Sequence, residues 1–303
     1  MTTVVNHFQT PIHSTPIPSF SGPQGQTCVV ALSWHLDGEA GVLGSDPAAS
    51  SHVAALSEGA YGISTALPRI LQLHRDLGIP GTFFVPGYVA DLHPAAIEAI
   101  GTEGHEVAHH GYLHQNCYQL DLEAQRQEFL KGSESLRRIT GRDPLGWSAP
   151  GWGVRPETLT LLLELGFLYD ASLMEYDTPY WLTTPKGRLV ELPISMVLDD
   201  WEIFGGGPHP GGGVNATAAS AYEIWREEFE GLYQFGGLFS TTFHPNLMGR
   251  PGRIKMLYQL LEHFQSFEGV WWATCGDIAA WVQEKYVDSD PCQNLGSRQP
   301  MMM

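Results

Sequence analysis

Two hydrophobic rhythms alternate along most of the chain. Short apolar runs such as Cys28-Val-Val-Ala-Leu32 and Thr82-Phe-Phe-Val85 are continuous, as expected of strands buried on both faces. Further strand-like runs lie at 105–110, 145–148, 188–195, 237–243 and 270–274. Helix-like segments separate them at 66–78, 94–104, 121–141, 155–166, 222–236 and 253–266. Several of these close on glycine (Gly78, Gly141, Gly166), and Pro156 sits near the first turn of one, a sequence signature of helix ends. Residues 38–59 are polar and glycine-rich, and residues 197–214 form an aromatic, glycine-rich loop.

Strand and helix in alternation predict an α/β fold with a parallel sheet covered by helices. A distorted (β/α) barrel, irregular and incompletely closed, suits the length, with a doubly wound open sheet as the alternative. No linker divides residues 27–290, so these are expected to form a single catalytic domain. Residues 1–26, rich in Thr, Pro, Ser and Gln, are expected to be an irregular arm, and 291–303 a tail. In a barrel, polar side chains at the C-terminal ends of strands carry function.

The first apolar run ends in Ser33-Trp-His-Leu-Asp-Gly-Glu39. Side chains two apart on a strand share a face, so His35 and Asp37 should project together. His110 and His114, in His-Gly-Tyr-Leu-His, would share a face if they lay on one helical turn. With Asp37 they make a two-histidine, one-carboxylate set of the kind zinc accepts. Iron, cobalt, nickel or manganese would also fit. His105 and His109 read as structural histidines. His244, delivered by Thr241-Thr-Phe-His-Pro245, either protonates a leaving group or caps a turn.

Six blocks together carry a resemblance: LSWHLDGE, GTFFVPG, GHEVAHHGYLH, GWSAPGW, LLELGFLYDAS and TTFHPN. In that order the chain resembles the NodB-type polysaccharide deacetylases. It is nearest the peptidoglycan-deacetylase-like, allantoinase-like and cyclic imide hydrolase members. The resemblance implies a distorted, seven-stranded (β/α) barrel and metal-dependent hydrolysis of an amide C–N bond. Asp37, His110 and His114 match the family's metal ligands, and His244 its late histidine, the general acid or oxyanion stabiliser. Two positions depart from the pattern. His35 stands where the acidic base is usual, and could act as base or as a further ligand. Ser148 stands where many members carry an arginine that orients that base. Together these departures leave a catalytically silent barrel as the alternative to an enzyme.

Composition narrows the substrate. With 16 Lys and Arg against 33 Asp and Glu, the net charge is -17, which disfavours nucleic acid and anionic membrane surfaces. Cys28, Cys117, Cys275 and Cys292 have no metal-ligand spacing. No signal segment or membrane span is evident, so a cytoplasmic protein is expected, forming a homo-oligomer (dimer or tetramer). Trp147, Ser148, Trp152, Trp201 and Asp200 are expected to wall a compact pocket. Tyr180 and Trp181 join them, or the aromatics pack helices onto the barrel instead. The resemblance, together with the lack of a visible secretion signal, implies hydrolysis of a small amide, ureide or cyclic imide, with a divalent cofactor, zinc first. N-deacetylation of a sugar or glycan is the second reading. The Gly249–Arg253 stretch lacks a phosphate-cradling pattern.

Overall fold

In the computed structural model, which describes residues 12–205 and 216–287, the first apolar run becomes one strand in two pieces. β1 (His13–Pro16) precedes it, and β2 (Cys28–Ala31) and β3 (Ser33–His35) are the pieces, every residue of both buried. The glycine-rich stretch that follows supplies α1 (Ala40–Ser45) and α2 (Val53–Tyr61), and a wide turn at 62–66 leads into α3 (Leu67–Leu77). Gly78, at φ 65°, ends α3 in the left-handed region that a side chain would resist.

β4 (Thr82–Val85), α4 (Gly87–Leu92), α5 (Pro94–Thr102) and β5 (Glu106–His109) come next. α6 (Leu122–Thr140) starts at Asp121, whose carboxylate accepts the Ala124 N–H at 2.8 Å. Its inner face buries Phe129, Gly132 and Leu136. β6 (Gly146–Trp147), α7 (Pro156–Glu164) and β7 (Tyr169–Asp170) follow, then the hairpin β8 (Tyr180–Thr184) and β9 (Gly187–Glu191). The chain closes with α8 (Asp200–Phe204), α9 (Ala218–Phe235), β10 (Gly237–Ser240), α10 (Pro245–Met248), α11 (Pro251–Gln265), β11 (Val270–Trp272) and α12 (Cys275–Tyr286).

β3, β4, β5, β6, β7 and β9 pair in parallel in that order, while β10 and β11 flank β2, also in parallel. β9 does not pair with β10. A single bridge between Asp199 and Thr242 completes the ring there. Counting β2 and β3 as one, seven strands surround the centre, and β11 lies against the lower half of the first. The barrel is distorted as expected, and its seam is one residue pair wide. The helices bury apolar faces against it. Phe229 of α9 stacks on Phe264 of α11 at 3.8 Å between ring centroids, and Trp34 stacks on Phe83.

The expected irregular arm contains a strand: β1 pairs antiparallel with β8, extending the sheet beyond the ring. Residues 1–11, the tail 291–303 and the core of the glycine-rich loop at 206–215 lie outside the described residues. Among the described residues, no helix is long and apolar enough to cross a membrane.

Candidate metal centre and active site

Five side chains converge above the C-terminal ends of β3, β5 and β10. His35 closes β3, Leu36 turns into the core, and Asp37 follows on the same side as His35, as strand alternation requires. His110 remains in sheet register, its N–H donating to the Val85 carbonyl at 3.2 Å. The expected helical turn from His110 to His114 does not form. Gly111 at φ 74° and His114 at φ 58° fold this segment into a loop instead, with the two rings 4.8 Å apart. The loop is pinned from both sides. Gly87 and Tyr88 donate their N–H groups to the carbonyls of Gly111 and Tyr112, and Glu128 of α6 accepts the N–H groups of Tyr112 and Leu113. His244 arrives beside β3 because Phe243 accepts the His35 N–H at 2.8 Å.

Asp37 is the hub. Its Oδ1 lies 3.4 Å from His110 Nε2, and its Oδ2 lies 3.5 Å from His114 Nε2 and 3.7 Å from His244 Nε2. His110 Nδ1 faces the Ser148 carbonyl at 2.7 Å. A carbonyl only accepts, so Nδ1 carries the proton there and the neutral ring turns a lone pair on Nε2 toward the carboxylate. Neither that Nε2 nor Asp37 Oδ1 has a hydrogen-bond partner, although both are buried. Two acceptors facing each other need a cation between them. Ligand atoms ~2.1 Å from a tetrahedral ion stand ~3.4 Å apart, which is the spacing found here. Asp37, His110 and His114 therefore fit a divalent metal ion, and their donor atoms all lie within 4.8 Å of one another. A second set, His35, Asp37 and His244, meets the same limit.

The three other histidines of the cluster differ in charge. Burial, reinforced by His110 and His244, holds His35 well below the usual imidazole range. Burial is also the main reason that His114 is lowered to about 4, against the opposing pull of Asp37. Burial disfavours charge on His244 too, but Asp200, then Asp37 and Asp199, outweigh it and raise its pKa to about 10. Asp200 makes this possible: it is fully buried, accepts the His244 backbone N–H, and holds Nδ1 at 2.7 Å. Burial raises the Asp200 carboxyl as well, yet the 2.7 Å contact favours a charged pair with the proton on the ring. On Asp37, burial works upward and the surrounding imidazoles, His114 first, hold the carboxyl well below its ordinary range.

These groups open into a cavity of about 570 Å³ bordered by α1 and α2, the size of a compact ligand site. Trp152 and Trp201 line it, as expected. Trp152 does so from φ 57°, directly after Gly151 at φ 57°. Three expected wall residues are elsewhere. Trp147 is fully buried against Phe129, because β6 alternates and sends its neighbour Ser148 toward the site. Ser148 lies behind the imidazoles, and Asp200 lies behind His244, neither reaching the cavity. Tyr180 and Trp181 also belong to the core. His109 is structural: Nε2 meets the Phe129 carbonyl, and Nδ1 accepts the Gly111 N–H. Glu128 escaped the sequence reading. A carboxylate on a helix face or in a loop looks like surface until the fold brings backbone N–H groups or a histidine to it.

Known proteins resemble this chain in sequence and in fold. The family described as polysaccharide deacetylase matches residues 57–169. A peptidoglycan deacetylase of Helicobacter pylori is 31% identical over 280 residues, covering 83% of this chain and 94% of that protein. A peptidoglycan deacetylase-like protein of Gibberella zeae is 26% identical over 255 residues, covering 73% and 75%. Among solved structures, one from Mycobacterium smegmatis, assigned by name to the polysaccharide deacetylases, superposes with a TM-score of 0.86 at 40% identity. It covers 90% of this chain and 96% of the other. An allantoinase superposes with a TM-score of 0.77 at 26% identity, covering 90% and 95%.

Proposed function

The chain belongs to the polysaccharide deacetylase family, hydrolases of amide C–N bonds, and from that premise we propose that it removes the acetyl group of an N-acetylated amino sugar. This is the second of the two readings the sequence offered. The observation that carries the chemistry is the spacing of Asp37, His110 and His114 beside a charged His244. What carries the substrate is the likeness to proteins named peptidoglycan deacetylase.

Asp37, His110 and His114 would hold the divalent ion, zinc by preference for this donor set, with His35 as base or as a further ligand. When bound, such an ion supplies Lewis acidity, polarising the amide carbonyl and acidifying water. As base, neutral His35 takes a proton from the attacking water. His244, kept protonated by Asp200, gives its proton to the departing nitrogen. The water oxygen leaves in acetate and the sugar leaves as a free amine. Trp152 and Trp201 flank the substrate, and burial of the reacting groups keeps their interactions strong.

Hydrolysis of a small amide or cyclic imide is the second reading, favoured by the likeness to an allantoinase. Incubating zinc-loaded protein with N-acetylglucosamine oligomers, allantoin, hydantoin and succinimide separates the two. Acetate and free amine from the oligomers are the expected products. Ring opening of an imide or ureide with no acetate release contradicts the proposal.

A further inference from the structure

Ser148 touches two of the site's imidazoles through different atoms. Its carbonyl accepts from His110 Nδ1 at 2.7 Å, and its hydroxyl lies 3.3 Å from His35 Nε2. That hydroxyl also donates to the Ala171 carbonyl at 2.9 Å. A serine has one hydroxyl proton, and a carbonyl cannot give one back, so the proton is spent on Ala171. Toward His35 the Oγ is therefore an acceptor, and His35 Nε2 must carry the hydrogen.

We infer that Ser148 is a positioning residue that sets the tautomers of His35 and His110 in opposite senses. His110 is protonated on Nδ1 and presents Nε2, while His35 is protonated on Nε2 and keeps its lone pair on Nδ1. The arrangement is rigid. Ser148 is fully buried, and its own N–H is tied to the His109 carbonyl at 3.2 Å. Ala171 is held in turn by the Trp147 carbonyl, which accepts its N–H at 2.9 Å. β5, β6 and β7 thus supply one strand-end ladder that reaches His35 on β3 through a single hydroxyl. It follows that whether His35 serves as base or as ligand, it does so through Nδ1. A wrong tautomer would present an N–H where a lone pair is required, leaving the ring in place and inactive.

The two contacts can be separated, because a side-chain substitution spares the Ser148 carbonyl. In metal-free protein labelled with ¹⁵N-histidine, long-range ¹H–¹⁵N spectra report which ring nitrogen bears hydrogen. The wild type should show His35 protonated on Nε2 and His110 on Nδ1. Ser148→Ala should shift His35 toward the Nδ1-protonated form and leave His110 unchanged, and Ser148→Thr, which keeps the hydroxyl, should restore the wild-type pattern. In zinc-loaded protein, Ser148→Ala should lower kcat about 10- to 100-fold with KM and metal content preserved. A wild-type His35 protonated on Nδ1 overturns the inference. So does a Ser148→Ala spectrum in which both rings change or neither does. The kinetic arm rests on the proposed deacetylation, whereas the spectra need no turnover, so the two can fail separately.

Discussion

His114 shows what the site costs at the scale of one residue. Its φ of 58° lies in the left-handed region, where a side chain with a Cβ loses about 1 kcal/mol, and its Nδ1 is buried without a partner. The conformation brings Nε2 to 3.5 Å from Asp37. Replacing His114 with glycine should therefore raise the thermal midpoint of metal-free protein while abolishing its gain from added zinc. A lower metal-free midpoint for His114→Gly would mean that the loop is not strained for binding. The residue type and spacing of His110 and His114 were legible in the sequence, and so was the pairing of His35 with Asp37. The means were not: the sequence offered a helical turn, and the chain uses two left-handed residues. Trp147 was misplaced for a related reason, since in a two-residue strand a shift of one position exchanges the core face for the site face.

At the scale of elements, α1 shapes the site by lacking a side chain. A Cβ on Gly44 would sit 2.0 Å from the Leu113 carbonyl oxygen and 2.7 Å from that of His114. Both are backbone atoms, so α1 or the loop bearing His114 must move. Gly44→Ala should cost about 1–3 kcal/mol of stability and weaken zinc binding at least tenfold, as measured by calorimetric titration. Gly101→Ala in α5, where a Cβ meets nothing within 4 Å, is the matched control and should leave zinc binding unchanged. Equal zinc affinity in the Gly44 variant would show that α1 does not position the loop. The sequence made α6 and α7 legible through their caps and apolar faces, but not α1 and α2. These are rich in Gly, Ala and Ser and carry little amphipathic signal, because they cover a cavity rather than a core. β1 and β8 were missed for want of a long apolar run, their stability coming from antiparallel pairing at the sheet margin.

Over the whole molecule, charge and cavity point the same way. Among the described residues lining the cavity there are five carboxylates, those of Asp37, Asp46, Glu58, Asp199 and Glu202, and no lysine or arginine. The chain as a whole carries -17. A substrate bearing a carboxylate would meet repulsion that a neutral or amine-bearing one would not. Neutral N-acetylglucosamine oligomers should accordingly show higher kcat/KM than oligomers of matched length carrying a carboxylate. The gap should narrow with added salt, which screens beyond ~8 Å at physiological ionic strength. A preference for the anionic oligomer would place the sugar outside this cavity. The α/β class was legible because buried parallel strands write continuous apolar runs, whereas those runs suit an open sheet equally and the family resemblance implied the barrel. The seam at Asp199 and Thr242 was not legible, since one bridged pair leaves no periodicity to read.

The most direct test of a metal-dependent deacetylase is acetate release from N-acetylglucosamine oligomers by metal-stripped protein as zinc is returned in steps. Activity should be absent at the start and rise in proportion to zinc until one ion is bound per chain. It should not appear at any zinc concentration in the Asp37→Ala variant. Acetate release at full rate without metal, or one tightly bound zinc with no acetate released, would contradict the account.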